Sequence, residues 1–580
     1  MAYVRLCTLM YAYGSRPSPS PSPPTNNPAV IGKYEYLGTS YCVGVQLVAV
    51  PGTDNFLFME RPTTPHPDGK HANAGLMDFI TGKFTNVACK YSMENCGHTF
   101  LENGHKPQSS YPEGRRAVQV LDVGALALRS VGQLQFGHWL ATVTRLPNGM
   151  VTVMSDSPSP VGPVRKDAVQ NPFYELWDPS SPATTKVIQM DADFIANTKY
   201  FYYPFVFVLP TGDMFVWSNT YGQIIEPMTG RRIAVLPTWK DIPEAKGMNT
   251  AYPFSGSAVL LPLRPEDNYQ VAEIVVFGGQ WSKGWVNTTA VDLSMRLKIK
   301  ILEDSAYEIG EWQMERMPLP RVSGSAVLLP NGQVLLINGA KRGLLGDAVS
   351  GGGAMLNEPN FWPVLYDPTA PEGSRYTTLG RSQIARLLHS TAGLTLNGTV
   401  IVAGGDRSSR FWSPESYSPS PNGFPEFRVE LFTPPFMFDT DHRPVIVNSP
   451  TVIGYDDIST IVYTMTDTNA TITSVVLVAP PSDTHAFNMH QRLIELAILA
   501  QDKDTDHEVS TPGARTVTVR GPPNANVAPQ GPYMLFLLHN TTYGPGKWRG
   551  PFLLESDEAP PWATHLSTEM VLPVRVFGVL

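Results

Sequence analysis

Apolar and polar positions alternate with a period of two along most of the chain, and short apolar runs are separated by tight turns. One unit recurs: a small or aromatic start, an apolar strand, a turn, and a second apolar strand. Its copies are GVQLVAVPGTDNFLFMER at 44–61, TFLENG at 99–104 and ATVTRLPNGMVTVMSD at 141–156. They continue with FVFVLPTGDMFVWSN at 205–219, SGSAVLLPLRPEDNYQVAEIVVFGG at 255–279, SGSAVLLPNGQVLLINGA at 323–340 and STAGLTLNGTVIVAGGD at 390–406. Pro-Asn-Gly and Pro-Thr-Gly put residues of positive φ at the hairpin tips. Successive copies recur at intervals of about 45–65 residues, with turn glycines at Gly104, Gly149, Gly212, Gly332 and Gly398.

Seven such hairpins predict an all-β fold, a seven-bladed β-propeller of the kelch kind. The pattern changes near Pro434. Beyond it TIVYTMTD, ITSVVLVAP, RLIELAIL, RTVTVRGP and GPYMLFLLHN alternate or run apolar, the pattern of an immunoglobulin-like (early-set) β-sandwich. The expected division is a leader and spacer over 1–28, the propeller over 29–435 and the immunoglobulin-like domain over 436–580.

Composition agrees with many strands and turns. The chain has 580 residues, with 48 Gly and 54 Pro, and its charged fraction of 16 % lies below the usual ~25 %. This excludes a disordered chain, a coiled coil and a collagen. A net charge of −8 without a Lys/Arg run speaks against a nucleic-acid partner. No run of 18 apolar residues exists, so no membrane-spanning helix is expected. Residues 1–14 combine one Arg with a short apolar run, a degenerate leader, and the Ser-Pro repeat that follows favours an extended polyproline II spacer. With the sequons Asn287, Asn397, Asn469 and Asn540, this composition suggests an extracellular or cell-surface glycoprotein. Only four cysteines occur, too few for a disulfide scaffold.

Four segments carry a family resemblance. LLHSTAGLTLNGTVIVAGGD (387–406) resembles the Tyr-His-Ser blade of the glyoxal oxidases, and THAFNMHQRLIEL (484–496) resembles their Thr-His-x-x-Asn-Met strand. NVAPQGPYMLFLL (526–538) and LPRVSGSAVLLPNGQVLLINGAKRG (319–343) resemble two further family segments. The chain is identified as a member of the glyoxal oxidase/galactose oxidase-like group from about residue 40 onward. The resemblance implies a propeller followed by an immunoglobulin-like domain. It also implies a secreted copper oxidase of aldehydes or primary alcohols that reduces O₂ to hydrogen peroxide. In that group copper is held by two His and two Tyr, one Tyr being cross-linked to a Cys thioether and able to become a radical.

Two ligands carry over, His389 and His485, and imidazole suits copper. The tyrosines do not. The position before His389 is Leu388, and the family Arg-Trp-Tyr motif reads His138-Trp139-Leu140. Leucine neither ligates a metal nor holds a radical. Cys96 stands at the family cross-link position; without a Tyr partner it reads as a buried thiol or as a disulfide with Cys89. No Tyr-Cys cofactor is therefore expected. His138 shares a strand face with Leu140, and His98 with Cys96, so His138, His389 and His485 form a candidate non-radical three-His metal site. Tyr203 and Tyr252, each followed closely by Pro, read as fillers of the blade mouth. Three functions follow in order. The first is an extracellular non-catalytic relative binding matrix or glycan partners. The second is a copper oxidase of small aldehydes or alcohols, and the third is the non-radical metal protein.

Overall fold

The computed structural model describes residues 26–549 apart from 61–72, 90–95, 100–115, 156–170, 199–200, 283–286, 346–355, 406–425, 490 and 503–510. The leader, most of the Ser-Pro spacer, the turn at Gly104 and residues 550–580 lie outside the described residues.

Seven sheets radiate from one axis. Blade 1 holds Gln46–Val50, Asn55–Met59, Ala74–Asp78 and Phe84–Asn86. Blade 2 is described in part by Ala88–Cys89, Ala117–Asp122 and Ala127–Gln133. Blade 3 runs from Thr142–Arg145 to Thr185–Gln189, and blade 4 from Phe205–Val208 to Arg232–Val235. Blade 5 runs from Ser257–Leu260 to Gln313–Arg316, and blade 6 from Ser325–Leu328 to Tyr376–Thr378. Blade 7 combines Ser390–Leu394, Val400–Gly404 and Arg428–Thr433 with the N-terminal strand Lys33–Thr39. Pairing of Lys33 with Thr433 and of Tyr34 with Phe432 closes the ring, which removes the open edges of the circle.

Burial follows position in the blade. The innermost strands are buried at every position, as at Thr142–Arg145, Phe205–Val208 and Ser325–Leu328, because both faces meet neighbouring blades. Outer strands such as Lys33–Thr39 are partly exposed throughout. The tips Gly149, Gly212, Gly332 and Gly398 have φ between +79° and +93°, the region that only glycine enters without strain. Between blades 4 and 5, Trp217, Trp239 and Trp312 pack with ring centroids 4.8, 4.9 and 5.3 Å apart.

In the C-terminal domain, Leu493–Asp502 belongs to two sheets. Its first half pairs with Ser474–Val478 and its second half with Arg515–Arg520, the change occurring between Leu496 and Ala497, just before an irregularity between Ile498 and Ala500. From this domain a hairpin, Ser482–Thr484 with Phe487–Asn488, enters the propeller. It adds to the inner edge of blade 1, with Gln46 opposite Thr484 and Val48 opposite Ser482.

Candidate functional site

The repeat has a register with chemical consequences. Leu140, Tyr203, Ser323 and His389 each stand nine residues before a hairpin glycine, on blades 3, 4, 6 and 7. All four are buried and all are left-handed, with φ of 58°, 48°, 61° and 60°. Non-glycine residues seldom take this conformation. Here it ends the incoming connection and begins the innermost strand, so each position delivers one side chain to the same end of the propeller.

The fifth contributor comes from outside the ring. His485 (φ 49°) and Ala486 (φ 77°) form the tip of the inserted hairpin. Three polar residues pin that hairpin. The Asp483 Oδ2 accepts from Ser325 Oγ on blade 6 at 2.7 Å and from Ala392 N on blade 7 at 2.8 Å. The Ser482 hydroxyl donates to the His98 carbonyl at 3.0 Å and also bonds His98 Nδ1. The Thr484 hydroxyl donates to the Val45 carbonyl at 2.9 Å. Its one proton being used there, Thr484 Oγ1 accepts from His485 Nδ1 at 2.7 Å. His485 is thereby held as the tautomer whose Nε2 carries the lone pair, the form that ligates metals.

The rings converge. His389 lies edge-on to His485 with centroids 4.8 Å apart and planes at 74°. Tyr203 stacks on His485 at 4.9 Å and 27°, and Tyr252 meets its edge at 5.8 Å and 74°. The two histidines expected to act together are therefore together. The two tyrosines read from the sequence as mouth fillers both pack against a candidate ligand. The nine-residue register with His389 is the sequence signal that singles out Tyr203.

Leu140 and Leu388 are fully buried beside these tyrosines. The Leu140 carbonyl accepts the Tyr203 N–H at 2.8 Å, and the Leu140 side chain shares a cluster with Tyr202 and Tyr203. Leu388 packs with Leu387, Ala340 and Tyr252. Cys96 carries a buried thiol, raised by burial, that donates to Gln46 Oε1 at 2.9 Å; it forms no disulfide with Cys89. The Tyr203 hydroxyl lies 3.5 Å from the Cys96 carbonyl oxygen.

The three-His arrangement is not assembled. His138 Nε2 lies 3.2 Å from Glu175, which also accepts from Gln135 N and Phe136 N at 2.7 Å each. Burial alone would raise the Glu175 carboxyl, but these donors hold it below its ordinary value. The anchoring carboxylate keeps His138 in blade 3. No group of three His, Cys, Asp or Glu suited to a metal occurs among the described residues. His98 serves the hairpin instead. Of the sequons, Asn287, Asn469 and Asn540 are exposed. Asn397 is half-buried in the blade 7 turn, where its side-chain oxygen accepts from Thr399 N at 3.2 Å.

Two converging imidazoles and a phenol at one buried point fit copper by donor type, with His389 and His485 as nitrogen donors.

Residues 101–436 match the family model described as "Glyoxal oxidase N-terminus", and residues 443–549 match "Galactose oxidase-like, Early set domain". The chain is similar to "Aldehyde oxidase GLOX" of Vitis pseudoreticulata, 30 % identical over 423 residues, 72 % of each chain. It is 29 % identical over 429 residues to "Aldehyde oxidase GLOX1" of Arabidopsis thaliana, covering 71 % of this chain and 63 % of that one. Among solved structures, a fungal alcohol oxidase of the AA5 family in complex with copper superposes with a TM-score of 0.65 at 18 % identity. That match covers 90 % of this chain and all of the other, and it shows a common fold.

Proposed function

The chain belongs to the glyoxal oxidase family, and from that premise we propose that it is a copper-dependent oxidase of aldehydes or primary alcohols whose redox-active phenol is Tyr203. The observation that carries this reading is the stacking of Tyr203 on His485, with His389 edge-on to the same ring. His389 and His485 would hold the metal, and bound copper would supply a one-electron couple with O₂. Thr484 sets the His485 tautomer, and Asp483 ties the hairpin to the blade that bears His389. Burial of all three rings keeps bulk water from them.

Copper-loaded full chain should release hydrogen peroxide when given methylglyoxal or glyoxal. Tyr203→Phe should lower that release at least 100-fold with copper content unchanged. No peroxide at full copper occupancy would overturn the reading.

A second reading has its own support. Leu140 and Leu388 occupy the family tyrosine positions, and neither can ligate a metal. This favours an extracellular, non-catalytic glycoprotein that binds matrix or glycan partners. The exposed sequons Asn287, Asn469 and Asn540 suit secretion, and a mass loss on treatment with an N-glycosidase would test it.

A further inference from the structure

Leu140 and Tyr203 precede the innermost strands of blades 3 and 4, and Thr144 and Val208 lie toward the far ends of those strands. There, away from the rings, a cavity of about 30 Å³ separates the propeller from the C-terminal domain. Thr144, Phe207 and Leu260 line it from blades 3, 4 and 5, and Met489, Arg492 and Tyr533 line it from the C-terminal side. It has room for one or two water molecules or for a single halide ion.

A charge that no described residue neutralises stands on this wall. Arg492 follows the inserted hairpin and is buried. Its Nη1 donates to the Val527 carbonyl at 2.7 Å and its Nη2 to the Val208 carbonyl. Both acceptors are neutral, and they occupy two of the five N–H donors of a guanidinium. Among the described residues no carboxylate pairs with Arg492; burial lowers its proton affinity, and the Tyr533 phenol opposes that. The phenol cannot serve as counter-ion. Burial pushes it up to about 12, and its hydroxyl donates to the Pro529 carbonyl at 3.0 Å. A guanidinium keeps its proton even so, and a buried cation without a counter-charge is costly.

Thr144 points the same way independently. Its hydroxyl is buried on the cavity wall and has no hydrogen-bond partner among the described residues. The Gln491 amide, which also lines the cavity, is engaged on blade 6, where it donates to the Ala326 carbonyl at 2.9 Å and accepts from Leu328 N. Arg145 stands on the blade 3 side, and no Asp or Glu occurs among the described lining residues. N–H and O–H donors set in apolar walls suit an anion rather than a cation. Water satisfies the Thr144 hydroxyl equally well but brings no charge to Arg492.

We propose that this cavity is a binding site for one halide ion, with chloride as the natural occupant, held by Arg492 and Thr144 between the propeller and the C-terminal domain. Its walls come from three blades and from the second domain, so the bound ion ties the two domains together and stabilises only the folded chain. Halide uptake here is independent of copper.

The test is equilibrium dialysis of the metal-free full chain, exchanged into gluconate, against sodium bromide, with bound bromine counted by mass spectrometry. About one bromide per chain should bind at this site, and chloride should displace it. Arg492→Met and Thr144→Val should each weaken binding roughly tenfold or more. The unfolding midpoint of the natural chain should rise as chloride replaces gluconate at constant ionic strength, and that of Arg492→Met should not. If Arg492→Met fails to fold, bromine anomalous diffraction from crystals of the natural chain decides by location, and a peak in the cavity beside Arg492 supports the site. No bound bromide, binding unchanged in both variants, or bromide found only elsewhere would overturn the proposal.

Discussion

Asp483 offers a stability test of the inserted hairpin. Its carboxyl is fully buried, accepts from Ser325 and Ala392, and is still pushed by burial up to about 6. An unfolded Asp titrates near ~3.9, so the folded state binds more protons between about pH 4 and 6. The stabilising effect of this raised value is complete below about pH 4 and is lost as pH rises through 6. Over that window the change amounts to about 3 kcal/mol. Asp483→Ala removes the acceptor from a buried hydroxyl and a buried N–H, at roughly 1–3 kcal/mol each. At pH 4.5 the loss is therefore about 2–6 kcal/mol. At pH 7.5 the variant also sheds the ~3 kcal/mol cost of the buried charge, so its effect shifts to between a gain of about 1 and a loss of about 3 kcal/mol. Asp483→Asn keeps an acceptor and cannot ionise, so relative to the natural chain it should gain stability as pH rises. Urea unfolding of metal-free full chain at the two pH values measures both variants. A cost for Asp483→Ala that is the same at both values, with no gain for Asp483→Asn, would refute the reasoning.

Other predictions concern the supports of the site. Glu175→Ala strands His138 and two backbone N–H groups, and should cost about 3–5 kcal/mol by denaturant unfolding. Because its folded carboxyl is held low, the stabilisation from Glu175 should be present above the ordinary carboxylate range and fade as pH falls through it. Gly404 has φ +73°, and a Cβ there would sit 2.3 Å from the His389 carbonyl oxygen. Gly404→Ala should therefore cost more than ~1 kcal/mol and displace His389, seen as weaker copper binding in equilibrium dialysis. Trp217→Ala opens the tryptophan cluster and should cost about 3–5 kcal/mol with copper binding intact.

The local pattern carried the architecture. Alternation marked the strands, turn glycines marked the hairpins, and two motifs marked His389 and His485. These properties are encoded within a few residues, because strand period and turn chemistry are local. The pairing of Lys33–Thr39 with Arg428–Thr433 joins segments about 390 residues apart, and no local signal specifies it. The same holds for the hairpin of residues 482–488 on blade 1. His138 shows the limit of parity arguments: it stands in the connection before Thr142–Arg145 and not in a strand, and Glu175 on Phe173–Trp177 captures it. Tyr203 shows the converse. The sequence by itself determined that the family tyrosine positions are leucines and that two histidines remain. Only the tertiary structure decided that a phenol from blade 4 reaches His485. Rotation about the propeller axis brings equivalent left-handed positions of different blades to one point, so a ring missing from blade 3 can be met by one from blade 4.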